Sequence, residues 1–353
     1  GWVRQPVWGL TRNRSLAAHD LNPPVPDRPS SPGGLDPDMQ AVDPTWTLLR
    51  VDTVDVRGRP VPAGALSIFG FHPTGNPWAN DLFDGDVPAI VERGLERHMD
   101  TLAGSAESAP VPRSVHLWFN GGVGDVSLAG MPQSHCVHSD QVRRPRPGGP
   151  RTPPPNDGWW GDAEQPGSAC VRESREFVNR VGDALTTHAI DLFTEAGDGM
   201  ARDASIRRSF RTYDLTGEEA PDGLCPEPYI GRGAGGGAED GMSELRDWKM
   251  FGFVDLGMRE GVTEPDPADC QSPKKRLHWL MRLGLGPLEL PEAMQLMVVR
   301  VGDLLLAAVP AEPTTEAAFR MRESVLGAAR MTRDAAVISL ANGYVQYIAT
   351  SEE

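Results

Sequence analysis

The spacing of hydrophobic residues changes many times along this chain, and each spacing predicts either a strand or a helix. Strict alternation of apolar and polar residues is typical of a half-buried strand, whereas apolar residues three or four positions apart are typical of a helix. The predicted strands are residues 46–55, 65–72, 114–119, 294–300, 303–309 and 335–341, and the predicted helices are residues 87–103, 171–196 and 315–329. Because both kinds alternate, we expect an α/β fold with a mixed β-sheet flanked by helices.

The segments between these elements are rich in glycine and proline, of which the chain has 39 and 33. We therefore expect long Gly/Pro-rich loops, most clearly over residues 139–168 and 215–245. Residues 1 to about 45 indicate an extended arm over a core. There is no internal repeat, and a length of 353 residues allows one large domain or two ordinary ones.

The charge balance excludes one class of partner. The 353 residues carry a formal net charge of -15 and have a pI near 5.0. Without a basic stripe to neutralise phosphates, we expect no nucleic-acid partner. The cationic cluster Arg143–Arg146 lies in a Pro/Gly-rich stretch and is interpreted as a solvated loop. No run approaches the roughly 18 apolar residues of a transmembrane helix, so we predict no transmembrane segment.

The four cysteines are far apart in the sequence, and no two form a Cys-x-x-Cys pair; they are Cys136, Cys170, Cys225 and Cys270. That spacing is a poor zinc pattern. It fits two structural disulfides in an exported protein, with three pairings possible, or four reduced thiols in a cytosolic one.

Two residues that follow apolar strands are candidate metal ligands. His72 ends the predicted strand over residues 65–72, where a ring nitrogen could face zinc, although many such histidines are ordinary hydrogen-bonded residues. Glu312 comes just after the strand over residues 303–309, where a carboxylate is costly unless it is paired or bound to metal. The alternative for Glu312 is a cap for the helix that begins near Thr315.

A glycine-rich turn over residues 121–124 leads to Ser127. Its free backbone N–H groups could face a developing oxyanion while the serine hydroxyl attacks or donates a proton, although the segment could equally be a simple turn. Tyr347 lies in a late aromatic strand, where most tyrosines belong to a core. Arg14, taken alone, would be an ordinary surface arginine.

Taken in order, these segments resemble the neutral ceramidase family of zinc-dependent amide hydrolases. The matching segments are Asn13-Arg14-Ser15, His72-Pro73-Thr74, Gly124-Asp125-Val126-Ser127, Pro310-Ala311-Glu312-Pro313-Thr314-Thr315 and Asn342-Gly343-Tyr344-Val345-Gln346-Tyr347. The resemblance runs from about residue 13 to residue 353, which is nearly the whole chain, and it implies that residues 1–353 form a single catalytic domain.

The resemblance implies a role for each of these residues. It implies that His72, Glu312 and Tyr347 are ligands of Zn²⁺, that Ser127 and Arg14 are catalytic, and that Arg14, Asp125 and Tyr347 contact the substrate. The implied reaction is hydrolysis of the N-acyl bond of ceramide or a related N-acyl lipid to a fatty acid and an amine. Either Ser127 or zinc-bound water would be the nucleophile.

Several family features are replaced or lack a match. The family's His-Thr-His-Ser segment, which gives another histidine ligand, has no match here. We expect an upstream fragment of the same precursor, which could be a second chain, to supply that histidine. The family's C-terminal Ig-like domain also has no match. Gly75-Asn76 replace Ser-Met, and Leu128-Ala129 replace Pro-Asn. These changes favour two alternatives: an amidase for another N-acyl substrate, such as an N-acyl amino acid or small amide, and a catalytically silent subunit.

The cysteine segments also resemble those of the family. The resemblance implies a disulfide between Cys225 and Cys270, and we pair Cys136 with Cys170 across the Pro-rich loop. The expected location is therefore secreted, periplasmic or on the extracellular face of the membrane.

Overall fold

The computed structural model describes residues 1–24, 28–76, 83–104, 114–130, 166–202, 204–215, 249–250, 254–255, 293–329, 332 and 334–353. The chain divides into two compact units. Unit 1 contains residues 1–11, 44–119 and 127–202, and unit 2 contains residues 12–43, 120–126 and 203–353. The single catalytic domain expected from the sequence stays a prediction.

Helices and strands alternate along the chain, and mixed sheets pack against helices, which confirms the predicted α/β class. The strands are β1 (Trp2–Pro6), β2 (Thr11–Asn13), β3 (Thr45–Val54), β4 (Pro60–Ile68), β5 (Val115–Phe119), β6 (Val126–Leu128), β7 (Ile206–Asp214), β8 (Lys249–Met250), β9 (Val254–Asp255), β10 (Ala293–Val301), β11 (Leu304–Ala308), β12 (Glu312–Pro313), β13 (Asp334–Ile338) and β14 (Tyr347–Ile348). The helices are α1 (Leu16–His19), α2 (Pro37–Gln40), α3 (Asp86–Leu102), α4 (Pro166–Ala196) and α5 (Thr315–Ala328).

Unit 1 is built on a four-stranded sheet in the order β1-β3-β4-β5. Strand β3 is antiparallel to both β1 and β4, and β4 is parallel to β5. Helices α3 and α4 pack against each other and against this sheet. The buried apolar side chains of α3 recur every four residues, at Val87, Val91, Leu95 and Met99, so one stripe of the helix faces the core. An aromatic cluster fills the same core, with Trp46 stacked on Phe69 at a centroid distance of 5.3 Å.

Unit 2 contains a second four-stranded sheet, in the order β13-β11-β10-β7. Strand β10 is antiparallel to β7 and β11, and β11 is parallel to β13. All five residues of β11 are buried, and α5 packs on β11 and β13. An entirely apolar short strand is what a central, doubly covered position requires. The chain leaves β11 directly into β12, which carries Glu312.

The structure differs from the predicted pattern near the N-terminus. Residues 1–45 are not only an extended arm, because Trp2–Pro6 pair with Thr45–Leu49 as the edge strand β1. Strand β7 was not predicted. Its residues are exposed almost throughout, and it lies at the sheet edge, where one face need not be apolar.

Several predicted features lie outside the described residues. They include most of the two long loops, together with Cys136, Cys225 and Cys270, while Cys170 lies in α4 with a side chain that is not described. Over the described part of the chain, no helix combines the length and apolar character needed to cross a membrane.

Candidate active site

A short parallel pair of strands in unit 2 places two of the predicted site residues side by side. In the β12–β14 ladder Glu312 lies opposite Tyr347. The backbone N–H of Glu312 donates to the carbonyl of Gln346 at 3.0 Å, and that of Thr314 donates to the carbonyl of Ile348 at 2.9 Å. These bonds fix the register, so two side chains far apart in the sequence meet at one point.

The carboxylate of Glu312 is buried and accepts hydrogen bonds from phenols. Glu312 is 8% exposed, and the hydroxyl of Tyr344 donates to its Oε1 at 2.6 Å. Tyr347 also hydrogen-bonds Glu312. Burial raises the pKa of both tyrosines, and the neighbouring Glu312 raises both further. Both phenols therefore stay protonated at neutral pH and act as donors.

The guanidinium of Arg14 reaches the same place. Its Nη2 donates to the carbonyl of Gly124 at 3.1 Å and to the hydroxyl of Tyr347 at 3.3 Å, and its backbone N–H donates to the carbonyl of Asp125 at 2.8 Å. The positive charge of Arg14 opposes the rise in the pKa of Tyr347. Arg14, Tyr347 and Glu312 therefore form one connected group within unit 2.

Asp125 links chain segments that lie next to this group. Asp125 is 3% exposed; its Oδ1 accepts from the backbone N–H of Thr315 at 2.7 Å and from the Thr315 hydroxyl at 2.8 Å. Its Oδ2 accepts from Nδ2 of Asn13 at 2.6 Å. The contacts shown here join the start of α5 to the segment that carries Arg14, and the predicted contact of Asp125 with substrate stays a prediction.

The cap of helix α5 is Thr314. Its hydroxyl accepts from the backbone N–H of Ala317 and donates to Oε2 of Glu353 at 2.6 Å. Glu312 is instead a strand residue in β12. The alternative in which Glu312 caps the helix is therefore not what the structure shows.

His72 and Ser127 belong to unit 1. His72 lies four residues beyond the end of β4 and is half-buried, and its carbonyl accepts from the backbone N–H of Thr74 at 2.9 Å. Ser127 is the central residue of β6 and is fully buried. The roles expected of these two residues, zinc ligand and catalytic serine, stay predictions.

The sequence did not single out two features of unit 2. The first is Tyr344, which holds Glu312 and could have been suspected from its place three residues before Tyr347. The second is a group of three potential metal ligands, His19, Asp125 and Glu353, whose ligand atoms lie within 4.8 Å of one another. His19 follows the Asn13–Ser15 segment by four residues, which was the available signal.

Comparison with known proteins assigns the chain to a family. Residues 3–353 match the family described as neutral/alkaline non-lysosomal ceramidase, N-terminal. The chain belongs to this ceramidase family. It is 27% identical over 371 residues to a neutral ceramidase of Mycobacterium tuberculosis, covering 98% of this chain and 48% of that protein. It is 24% identical over 376 residues to neutral ceramidase A of Dictyostelium discoideum, covering 98% and 47%. This ceramidase-family chain thus spans about half the length of the curated relatives it matches.

Two solved structures share the ceramidase fold with this chain. One is a neutral ceramidase from Pseudomonas aeruginosa, with a TM-score of 0.54 and 20% identity over 99% of this chain and 46% of that one. The other is a ceramidase complexed with C2, with a TM-score of 0.57 and 22% identity over 99% and 48% of the two chains. At this level of identity the likeness concerns the fold alone.

Proposed function

We propose that this chain is the catalytic part of an amide hydrolase that cleaves the N-acyl bond of ceramide, or of a related N-acyl lipid, to a fatty acid and an amine. The observation that carries the proposal is the connected group of Arg14, Tyr347 and Glu312 in a chain that belongs to the ceramidase family. The named relatives are neutral ceramidases, which supports ceramide as the first substrate to test.

The donor atoms at this place fit a zinc ion. Zinc takes imidazole nitrogen and carboxylate oxygen in open catalytic sites, and Glu312 supplies a buried carboxylate beside the phenol oxygen of Tyr347. The ligand set that the family resemblance implies is His72, Glu312 and Tyr347, and of these Glu312 and Tyr347 lie together in unit 2. A zinc ion, when bound, polarises a carbonyl oxygen and lowers the pKa of a bound water towards roughly 7.

The chain's own residues supply orientation and charge. Tyr344 holds Oε1 of Glu312, so the carboxylate keeps one direction. Arg14 is anchored on the Gly124 carbonyl and the Tyr347 hydroxyl, and its permanent positive charge would stabilise the negative charge that develops on an amide oxygen. Ser127 would act either as nucleophile or as proton donor to that oxygen.

The test is hydrolysis of a long-chain ceramide in mixed micelles, with fatty acid and sphingoid base measured by mass spectrometry. We expect Glu312→Gln to lower turnover by roughly 100-fold or more, because a neutral amide replaces a buried negative ligand. Ser127→Ala should also lower it. The matched control is Glu323→Gln, the same substitution at an exposed position of α5. Full turnover by Glu312→Gln, or the same loss in Glu323→Gln, would contradict the proposal.

The zinc requirement is tested on the same preparation. Treatment with a chelator should abolish turnover, and added Zn²⁺ should restore it. The expected upstream histidine stays a prediction, and native mass spectrometry checks it by the presence of a co-purifying fragment. If this chain alone binds zinc tightly, and Glu312→Gln removes that zinc, the prediction of an upstream histidine ligand is wrong.

A different N-acyl substrate is the second candidate function. The observation that favours it is the position of Leu128, which is fully buried directly after Ser127 and replaces a proline of the family pattern. A panel of amides with short and long acyl chains separates the two candidates by their relative kcat/KM. No hydrolysis of any amide, with zinc bound, would favour the catalytically silent subunit.

Export of the protein with two disulfides is part of the same proposal. The implied pairs are Cys225 with Cys270 and Cys136 with Cys170. Alkylation of the unreduced, denatured protein should then label no thiol, and peptide mapping should recover the two pairs. Four alkylated thiols in freshly isolated native protein would refute the disulfides.

A further inference from the structure

Three buried or half-buried ligating side chains converge in unit 2 from separate parts of the chain. His19 ends α1, Asp125 directly follows the glycine-rich turn, and Glu353 follows β14. One ligand atom from each lies within 4.8 Å of the other two. His19 is 6% exposed and Asp125 3%. None of the roles assigned above uses His19 or Glu353.

The decisive atom is Nδ1 of His19. It is buried and makes no hydrogen bond to any residue in the described part of the chain. It lies 3.9 Å from Oδ2 of Asp125, which is too long for a hydrogen bond. Ligand atoms that share a zinc ion at about 2.0–2.2 Å lie about 3.3 Å apart in a tetrahedron. Nδ1 and Oδ2 are therefore roughly half an ångström farther apart than two ligands of one zinc ion. A contraction of that size would let both atoms bind the same ion.

The charges around this space favour a cation. Burial raises the pKa of Glu353, and the nearby carboxylate of Asp125 raises it further. Two carboxylates close together in a buried place repel each other unless a proton or a metal ion lies between them. Asn13 and Thr315 hold Asp125, while Asn22 and Thr314 hold Glu353, so the oxygens are fixed in position before any ion binds.

The second ring nitrogen has a carboxylate beside it. Nε2 of His19 lies 3.6 Å from Oε1 of the buried Glu316, and a metal-bound histidine usually donates its other N–H to such a group. Arg28 competes for this nitrogen, with Nη1 at 3.2 Å, but it also pairs with Glu316. With an ion on Nδ1, the ring proton moves to Nε2 and faces Glu316, while Arg28 keeps its ion pair with Glu316.

We propose that His19, Asp125 and Glu353 form a second divalent-cation site, distinct from the predicted set of His72, Glu312 and Tyr347. One imidazole and two carboxylates suit zinc or a similar transition metal better than calcium or magnesium. The ion would join three chain segments: the one that carries Arg14, the glycine-rich turn, and the one that follows Tyr347. Its role is to hold these segments together.

The experiment measures zinc bound by the full chain after removal of metal with a chelator. The predicted catalytic set is first disabled by His72→Ala with Glu312→Gln, so that the result does not depend on the proposed function. We expect this double variant to keep one equivalent of zinc after gel filtration, and addition of His19→Gln to remove it. The matched control adds His188→Gln, at an exposed position of α4, and should keep the zinc.

A second measurement covers the case in which His19→Gln unfolds the chain. Zinc K-edge absorption of the double variant should show one imidazole and oxygen ligands at about 2.0–2.2 Å. Zinc should also raise the unfolding temperature of the double variant. A zinc shell without imidazole, or no zinc bound by the double variant, overturns the proposal. If water fills the gap instead, zinc leaves the unfolding temperature unchanged.

Discussion

Substitution of Asp125 by asparagine tests whether this carboxylate holds the candidate site together. The change keeps the shape of the side chain and removes its charge. The amide oxygen can replace Oδ1 and keep both bonds from Thr315. The amide nitrogen then faces Nδ2 of Asn13, which is also a donor and lay 2.6 Å from the lost oxygen. A flip of the Asn13 side-chain amide would itself be costly. It would break the bond from Nδ2 to the carbonyl of Ala41 and the bond from the backbone N–H of Ser15 to Oδ1.

The magnitude follows from one lost charge-assisted bond and one pair of opposed buried donors. A hydrogen bond to a charged group contributes about 1.5–3 kcal/mol. We therefore expect Asp125→Asn to destabilise unit 2 by about 2–3 kcal/mol. The opposite orientation of the amide would turn a donor towards Thr315, whose backbone N–H and hydroxyl both donate to Oδ1. That orientation costs more, so the estimate rests on the first one.

Hydrogen exchange followed by mass spectrometry measures this effect where it arises. Peptides that cover the start of α5 contain the Thr315 amide, whose acceptor is Asp125 itself. A destabilisation of 2–3 kcal/mol corresponds to exchange faster by roughly 30- to 150-fold. The measurement is made with a chelator present, so that no bound ion contributes. Peptides of α3, in unit 1, serve as the internal reference.

A double-mutant cycle isolates the pair. Asn13→Ala removes the opposed donor, so Asp125→Asn should cost less in that background by about 1 kcal/mol or more. Exchange in Asp125→Asn within threefold of the parent protein would refute the reasoning. Strict additivity of the two substitutions would refute the part that concerns Asn13.

Three further predictions concern other parts of the structure. Tyr344→Phe removes the 2.6 Å bond to the buried Glu312 and should destabilise unit 2 by about 1–3 kcal/mol, measured by urea unfolding against Tyr213→Phe, at the half-buried position of the otherwise exposed strand β7. Thr314→Ala should cost about 1 kcal/mol by loss of the α5 cap, and Thr314→Ser should recover most of it; equal losses would contradict the capping role. Burial lowers the pKa of His116 to about 4, so the unfolded chain takes up this proton first as the pH falls. Stability of unit 1 should therefore be lost between about pH 6.5 and pH 4, by up to about 3 kcal/mol, and His116→Gln should flatten that slope in acid titrations followed by circular dichroism.

Elements with an apolar face could be predicted from the sequence within a few residues. Residues 46–55 and 303–309 show the required patterns and form β3 and β11. Strand β7 has no such pattern, because it is an exposed edge strand held by backbone pairing with β10 along nine residues. Its arginines Arg207, Arg208 and Arg211 need no apolar partner. A strand of this kind is defined by its neighbour rather than by its own side chains.

Part of the candidate site could likewise be predicted from the sequence, and part could not. Resemblance to the family indicated Arg14, Glu312 and Tyr347, and the structure joins them. The turn that brings Tyr347 back to Glu312 depends on positive φ angles at Asn342 and Gln346, of 66° and 72°. Glutamine has no strong preference for that region, so no residue pattern revealed the turn. The convergence of His19 on Asp125 and Glu353 depends on three separate segments and could not be predicted from spacing.

The two-residue ladder of β12 and β14 has a practical consequence for chimeric proteins. Because side chains alternate between faces of a strand, a slip of one residue would turn Tyr347 away from Glu312. Residues 310–314 and 342–353 must therefore be exchanged together in a chimera, although a helix and a strand separate them in the chain. A chimera made with a relative should take both segments from the same parent. One that joins them from different parents is expected to fold its sheets and lose the site.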